Sequence, residues 1–250
     1  MSAVIVIIKR QWYGLRRHLL SWFIFLVLLP IILYMVFGLS LYKVIANVNQ
    51  LNYLHWAAPG IWVSSGFLMS YLTAFIAMHH LRQTSGLLTI YLKAPVSCWT
   101  WLTGQTVWSI LIGSVQLIVS LLLIGIINGE LYSVIKWATL LVLIFPSVVF
   151  GAVLGTFVGS WVRRLFSAML VNMVIIIAFL SCSGSFIPLT YFPHSLQSMF
   201  MIVPIVMEIS AVQHLILYSE VMFSGAVLTL VLSACLFILN GAMIQHWIRK

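Results

Sequence analysis

The residue types that usually carry chemistry are scarce in this sequence. Its 250 residues include seven His and three Cys, and the acidic residues are three Glu with no Asp. No lysine follows a glycine, so the Gly-Lys-Ser/Thr core of a phosphate-binding loop is missing. The cysteines Cys98, Cys182 and Cys235 lie far apart and show neither CxxC nor Cys/His ligand spacing, which favours a packing role. The sequence therefore predicts no catalytic residue, no metal site and no ATP-binding motif.

One polar stretch instead has the composition of an interaction surface. Residues 81–97 read LRQTSGLLTIYLKAPVS, and their apolar side chains recur at helical spacing. The apolar positions are Leu87, Leu88, Tyr91 and Leu92, and the polar ones are Arg82, Gln83, Ser85, Thr89 and Lys93. Ala94-Pro95-Val96 ends the segment, because proline disfavours continuation of a helix. The pattern predicts a short helix that lies at a membrane surface.

The rest of the chain has the composition of a membrane protein. Hydrophobic residues make up 63% of it and charged residues only 6%, whereas soluble domains carry about 25% charged residues. Several apolar runs exceed the roughly 20 residues that cross a membrane as a helix. The ~10-residue alternating pattern of an outer-membrane barrel is absent. We therefore predict an all-α integral membrane protein.

Six runs are predicted to span the membrane, at residues 19–41, 56–78, 102–127, 137–160, 165–184 and 222–245. Pro30 predicts a kink in the first of them. In the fourth, Gly151, Gly155 and Gly159 form a doubled GxxxG pattern, which lets another helix pack closely. Residues 1–18 have separate apolar and basic arcs, which predict an interfacial amphipathic helix; an extended start to the first span is the alternative.

The segment between the fifth and sixth spans is apolar but interrupted. Within Phe186–Glu220 there are three prolines, Pro188, Pro193 and Pro204, and two carboxylates, Glu208 and Glu220. Such interruptions argue against one straight span, so we predict two short re-entrant helices that enter from the outer side. A seven-span alternative would bury Glu208 and place the basic C-terminus outside, and we rank it lower.

The distribution of basic residues predicts the orientation. With six spans, Lys43 and Lys136 lie on one side, and the other ten of the 12 Lys and Arg lie on the opposite side. These ten are Lys9, Arg10, Arg16, Arg17, Arg82, Lys93, Arg163, Arg164, Arg249 and Lys250. The positive-inside rule then places both termini in the cytoplasm. We therefore attribute the net charge of +9 to the membrane topology and not to the binding of a polyanion, and we expect no nucleic-acid partner.

Three membrane-embedded activities would need residues that the sequence does not place suitably. An intramembrane serine protease needs a serine on a glycine-rich turn, and residues 181–184 (SCSG) lack the leading glycine. An ion-coupled carrier keeps an ionisable residue at the midplane, and we assign every Glu, Lys and Arg to a loop or a boundary. Haem handling is suggested by ten Trp and the His79-His80 pair, but interfacial anchors and a hydrated helix end are more common roles.

Three short motifs give the chain a family resemblance. Residues 81–97 contain an arginine, then Gly86, an apolar run and Ala-Pro-Val-Ser. Tyr53 precedes Pro59-Gly60 at an outer boundary, and the fifth span is followed by Phe-Ile-Pro-Leu, a Phe-Pro pair and another proline. In this order they resemble the type-2 ATP-binding-cassette (ABC) exporter permeases, over about residues 8–250. The chain departs from that family at Thr89, where an acidic residue is frequent.

The resemblance implies a single permease domain over residues 1–250. Two six-span subunits, expected to be identical, would assemble in the plasma (inner) membrane with two ATPase subunits that bind ATP and Mg²⁺. This chain would then be a transport subunit that binds no cofactor itself. The resemblance implies that residues 81–97 contact the ATPase, through Arg82, Gln83, Gly86, Leu87, Leu88, Thr89, Tyr91, Leu92, Lys93 and Pro95.

The resemblance also implies a substrate path lined by spans one, two and five. The residues that we expect to line it are Tyr34, Ser64, Tyr71, Asn172 and Ser181. Because the spans carry no assigned charge, an amphipathic cargo is expected, either a lipid-linked saccharide or a hydrophobic natural product or drug. The alternative is a non-transport membrane scaffold or assembly protein that has no ATPase partner.

Overall fold

The computed structural model describes residues 3–45, 47–48, 51–83, 97–129, 132–162 and 164–248. The α-helices are α1 (Ala3–Arg16), α2 (Leu19–Leu33), α3 (Ser40–Tyr42), α4 (Tyr53–Gln83), α5 (Cys98–Asn128), α6 (Val134–Trp161), α7 (Leu165–Cys182), α8 (His194–Met201), α9 (Pro204–Tyr218) and α10 (Ser224–Ile248). A π-helical segment, Tyr34–Leu39, joins α2 to α3, and a 3-10 turn spans Leu189–Tyr191. Two short antiparallel strands, β1 (Asn47–Val48) and β2 (Leu51–Asn52), precede α4.

Six helical stretches of the described chain are long and apolar enough to cross a membrane. They are Leu19–Tyr42, Tyr53–Leu81, Cys98–Asn128, Val134–Trp161, Leu165–Cys182 and Ser224–His246. The predicted all-α integral membrane fold is therefore confirmed. The second span is longer than predicted at both ends, and α4 continues through residues 81–83, which the sequence assigned to the surface stretch.

The bundle is built around α4. In the most apolar window of α4, 78% of the residues are buried, against 11% for α7. Close packing is possible because small residues face α4 from both neighbours. A Cβ at Gly113 of α5 would lie 2.6 Å from the Ser70 Cβ, and one at Gly151 of α6 would lie 2.6 Å from the Phe67 carbonyl oxygen. Gly155 and Gly159 face α4 in the same way, so all three glycines of the doubled GxxxG pattern lie at this interface.

Helix α1 is a separate helix that packs across the start of α5, and the alternative of an extended start is wrong. Gly104 lies directly beneath Ile7, since a Cβ there would be 3.0 Å from the Ile7 Cδ1. The Gln11 Nε2 donates a hydrogen bond of 2.9 Å to the Gln105 Oε1. These contacts hold α1 at the end of the bundle where α4 finishes and α5 begins, which we call the α1 end.

The opposite end of the bundle is covered by the cap, which we define as residues 186–220 and which contains α8 and α9. The two helices meet at a bend of 93°. Pro204 occupies the first turn of α9, a position where a proline costs no intrahelical hydrogen bond. The bend agrees with two short helices in place of one straight span. Helix α9 packs on α6 and α10.

Candidate functional site

The predicted ATPase-contact stretch joins two helices at the α1 end. Arg82 and Gln83 belong to the last turn of α4. Ser97 caps α5, with its Oγ accepting a hydrogen bond of 3.1 Å from the Thr100 amide. The other predicted contact residues, Gly86, Leu87, Leu88, Thr89, Tyr91, Leu92, Lys93 and Pro95, lie outside the described residues, and their role stays a prediction.

The two helices that flank this stretch are fixed to each other. Leu81 near the end of α4 packs with Trp101 and Leu102 of α5 in one buried cluster. Met78 of α4 and Ile244 of α10 complete the cluster. A force applied to residues 81–97 therefore acts on two spans that are already packed together.

Two motifs of the family resemblance meet at the cap end. The Tyr53 hydroxyl donates a hydrogen bond of 2.7 Å to the Phe186 carbonyl oxygen. Gly60 lies so close to the backbone of Ser185 that a Cβ would overlap the Ser185 carbonyl oxygen. The Phe186 ring stacks on Phe37, with ring centroids 4.3 Å apart. These contacts give Tyr53 and Gly60 a structural role near the start of α4. Both pack against residues 185–186, where the chain enters the cap.

Of the five residues expected to line the substrate path, the structure brings two together. The Tyr71 hydroxyl on α4 donates a hydrogen bond to the Asn172 Oδ1 on α7, and both side chains are buried. The Asn172 Nδ2 donates in turn to the Ala168 carbonyl oxygen, at 2.8 Å. This pair is a buried, uncharged polar link between the central helix and the least buried span.

The other three expected residues lie apart from this pair. Tyr34 is buried, and its hydroxyl donates a 3.0 Å hydrogen bond to the Asn128 Oδ1 at the end of α5. Ser64 is fully buried, and its Oγ has no hydrogen-bond partner among the described residues. Ser181 is exposed near the end of α7. Whether any of the five contacts a substrate stays a prediction.

An apolar cavity of about 120 Å³ lies close to the Tyr71–Asn172 pair. Its walls come from five helices, α4, α6, α7, α9 and α10, and include Phe67, Phe150, Phe179, Ile205 and Thr229. Phe67 stacks on Phe179 with centroids 4.1 Å apart, and its ring lies 5.9 Å from that of Tyr71. Drug-sized ligands need roughly 300–1,000 Å³. The cavity therefore accommodates one apolar group and not a whole amphipathic molecule.

Glu208 corrects one prediction from the sequence. The assignment of every Glu to a loop or boundary is wrong, because Glu208 is fully buried between α9 and α6. Its Oε1 accepts a hydrogen bond of 3.0 Å from the Ser147 amide, next to Pro146. A buried carboxyl group is tolerated when it is hydrogen-bonded, and a helix amide beside a proline provides that bond.

The local fold also explains how Glu208 reaches this position. A Cβ at Gly225 would lie 2.7 Å from the Glu208 amide nitrogen, so the start of α10 lies directly against α9. Glu208 shares its helix face with Ile205, Ile209 and Val212, all of them buried. The spacing of these apolar residues was the signal in the sequence that could have identified the burial.

The fold and these contacts define a polytopic helical membrane protein with a bent cap and a mainly apolar interior. The chain belongs to the ABC-2 type transporter family, whose family model matches residues 2–217. A comparison with curated proteins finds no match, and a comparison with solved structures finds none either. Membership makes the chain a membrane permease component of an ABC transporter, which works with an ABC ATPase subunit and is generally not catalytic itself.

Proposed function

We propose that this chain is the permease subunit of an ABC exporter that moves an amphipathic or lipid-like substrate out of the cytoplasm. Family membership implies the ATPase partner, and we infer the substrate class from the interior of the bundle. The single observation that carries it is the uncharged Tyr71–Asn172 pair, whose tyrosine ring lies 5.9 Å from the ring of Phe67 in the wall of an apolar cavity. Such surroundings suit a molecule with an apolar part and polar, uncharged groups better than a small ion.

The proposed orientation places the α1 end in the cytoplasm of a cell with this protein in its plasma (inner) membrane. Of the basic residues that the structure describes, Lys9, Arg10, Arg16, Arg17, Arg82 and Arg164 lie at the α1 end, and Lys43 and Lys136 lie at the cap end. The positive-inside rule favours the cytoplasm for the end with more Lys and Arg. Both chain termini would then be cytoplasmic.

The proposed mechanism couples residues 81–97 to the central helix. Two ATPase subunits that bind ATP and Mg²⁺ would close and displace this stretch, and with it the ends of α4 and α5. Since α4 is packed on α6 through three glycines, the displacement would reach α6 as a rigid shift rather than be absorbed by soft side chains. ATP binding would thus bias the bundle between an inward-facing and an outward-facing state.

A second, identical permease subunit completes the proposed assembly. The least buried span of the described chain is α7, and the span Leu19–Tyr42 is also largely unburied. Large apolar side chains such as Phe166, Met169 and Met173 are exposed on α7. Lipid or a second copy must cover these faces, and a path between two permease halves would lie beside them.

Co-purification tests this proposal against the alternative of a scaffold without an ATPase. The tagged full-length chain would be extracted from its native membrane in mild detergent and assayed for ATP hydrolysis and for proteins that accompany it. We expect an ABC ATPase in a 1:1 ratio with the chain, and hydrolysis that responds to amphipathic substrates. Recovery of the chain with no ATPase, under several extraction conditions, would support the scaffold instead.

A further inference from the structure

A second pocket, of about 400 Å³, lies at the α1 end, and we call it the α1 pocket. It is an open pocket lined by α1, the start of α2, α4 and α5. Its lining includes the polar residues Arg10, His18 and His80, which we call its polar side, and the apolar residues Trp22, Ile76 and Trp108, which we call its apolar side. It is more than three times as large as the interior cavity, and its residues come from three separate parts of the sequence.

The polar side of the α1 pocket favours anions. Arg10 carries a permanent positive charge, and two imidazoles line the same pocket. The chain contains only three acidic side chains, and all of them occur in segments that follow α5 or belong to the cap. The field of Arg10 and its basic neighbours on α1 is therefore not cancelled by acidic side chains from the same end of the bundle.

The apolar side of the pocket continues onto an exposed apolar surface. Ile76 is 62% exposed where it lines the pocket. On α2, Leu19 and Phe25 lie three residues before and after the pocket residue Trp22, on neighbouring parts of the same helix face, and they are 47% and 42% exposed. An anion-binding pocket that opens onto such a surface suits a ligand with a charged head and a long apolar tail. A free anion would leave the apolar side unused.

The pocket is also held in shape before any ligand binds. Ile8 and Leu15 of α1 and Trp22 of α2 pack against a buried cluster that includes Trp108. The Gln11–Gln105 hydrogen bond fixes α1 to α5 on the same side. Because α1 is already packed in place, binding would not require the helix to be ordered at that moment.

We propose that the α1 pocket binds the phosphate of an anionic membrane phospholipid, with the acyl chains lying along the exposed apolar surface of α2. Guanidinium groups match phosphate oxygens in charge and geometry, and Arg10 supplies one at the pocket. The bound lipid is a resident component that fastens α1 to the membrane beside the ends of α4 and α5. The proposal stands whether or not the chain exports a lipid.

Lipid binding to the purified full-length chain, with any subunits that accompany it, tests the proposal. Native mass spectrometry would count lipids retained during titration with phosphatidylglycerol or with phosphatidylcholine of the same acyl chains. We expect phosphatidylglycerol to bind about tenfold more tightly, because its headgroup keeps a net negative charge, whereas the choline cation of phosphatidylcholine cancels that charge and is repelled by Arg10. Equal binding of the two lipids to the wild-type chain would overturn the proposal without any variant.

Two pairs of variants locate the site. Arg10→Gln should weaken phosphatidylglycerol binding by about tenfold. Lys9→Gln, at an exposed neighbour that does not line the pocket, should weaken it much less, because only the long-range part of the field is lost. Gly14 lines the pocket, and a Cβ there meets nothing within 4 Å. Gly14→Phe should therefore fill the pocket and displace the lipid, and Gly14→Ala should not. Equal losses in the two glutamine variants, or full binding in Gly14→Phe, would place the lipid elsewhere.

Two further arms distinguish the source of the phosphate. Inorganic phosphate at millimolar concentration should not displace phosphatidylglycerol, because it lacks the apolar contacts; complete displacement would show a free-anion site. ATP added to the assembled transporter should leave the lipid bound. Release that depends on ATP hydrolysis would identify the lipid as cargo and overturn its role as a resident component, while leaving the proposed export function intact.

Discussion

Ionisable side chains have different surroundings at the cap end and at the α1 end of this bundle. At the cap end, Glu208 is fully buried and its Oε1 is hydrogen-bonded to the Ser147 amide. At the α1 end, Arg10, His18 and His80 line an open pocket of about 400 Å³. Glu208 is thus satisfied by a contact within the chain, whereas the polar groups of the α1 pocket remain accessible at the α1 end, where we propose that partners bind. This difference is what we expect of a permease that receives its driving force at one end only.

The sidedness of the two ends is an all-or-none prediction. In a chain whose three native cysteines are replaced by serine, Arg164→Cys at the α1 end and Ser195→Cys on α8 would each supply one exposed thiol. Because basic residues concentrate at the α1 end, we expect a membrane-impermeant maleimide to label position 164 only from the cytoplasm and position 195 only from outside. Labelling of both positions from the same side would show that the cap end and the α1 end do not lie on opposite sides of the membrane.

The contact between α4 and α6 should be the most sensitive to added volume. Gly155→Leu would drive a side chain into the Tyr71 backbone of α4, and we expect a loss of roughly 3 kcal/mol in unfolding free energy. Thermal unfolding in detergent measures the loss. Gly14→Leu is the matched control, since a Cβ at Gly14 meets nothing within 4 Å. A wild-type melting temperature in Gly155→Leu would mean that this helix contact is absent.

Glu208 should matter as a hydrogen-bond acceptor rather than as a charge. Glu208→Leu leaves the Ser147 amide without its carboxylate acceptor in a buried site, at a cost of about 2 kcal/mol. Glu208→Gln keeps an acceptor oxygen of the same shape, so it should lose less than half as much. Thermal unfolding of the two variants gives the comparison. Equal losses of stability in the two variants would show that the carboxylate charge is required. The cap end would then depend on a charged side chain, as we propose for the α1 end.

The smallest effect should come from the hydroxyl that joins α4 to the start of the cap. Tyr53→Phe removes the hydrogen bond to the Phe186 carbonyl oxygen and keeps the ring, which should cost about 1 kcal/mol. Tyr13→Phe, on an exposed tyrosine of α1, should cost nothing measurable. Urea titration of both variants tests this, and equal midpoints would argue that the cap does not depend on this contact.

The spans could be predicted from the sequence because membrane crossing is a local property of about 20 apolar residues. The bend between α8 and α9 could be predicted for a similar reason, since Pro204 limits the helix locally. The apolar neighbours of Glu208 on α9 indicated a buried helix face, but the hydrogen-bond partner of its carboxyl group could not be predicted, because that partner is an amide of α6 that lies 61 residues away.

The candidate sites show the same limit. Tyr71 and Asn172 could be selected by residue type, but their hydrogen bond joins positions 101 residues apart. The α1 pocket was missed altogether, because Arg10, Trp22, His80 and Trp108 come together only in the folded bundle. Composition predicts what a segment is suited for, and only packing determines which segments meet.

Contact with the ATPase through residues 81–97 is the central claim, and one double variant tests it directly. Leu88→Asp combined with Tyr91→Asp would place two carboxylates where apolar anchors are expected to fill a groove of the ATPase, at a cost of several kcal/mol. The spans should still fold, because the changes lie between α4 and α5 and not within them.

Two controls accompany the double variant. Leu88→Asn with Tyr91→Asn removes the apolar anchors without adding charge, and should weaken retention less. Ser97→Asp adds one carboxylate at the last residue of the stretch, away from the apolar anchors, while keeping a good capping residue for α5, and should retain the ATPase fully.

The decisive measurement is the amount of ATPase that co-purifies with each variant, together with its substrate-stimulated ATP hydrolysis. We predict a well-expressed double aspartate variant with wild-type melting behaviour that retains less than a tenth of the ATPase, as a loss of more than about 1.4 kcal/mol implies. Wild-type retention and hydrolysis in that variant would contradict the claim that residues 81–97 couple the permease to its ATPase.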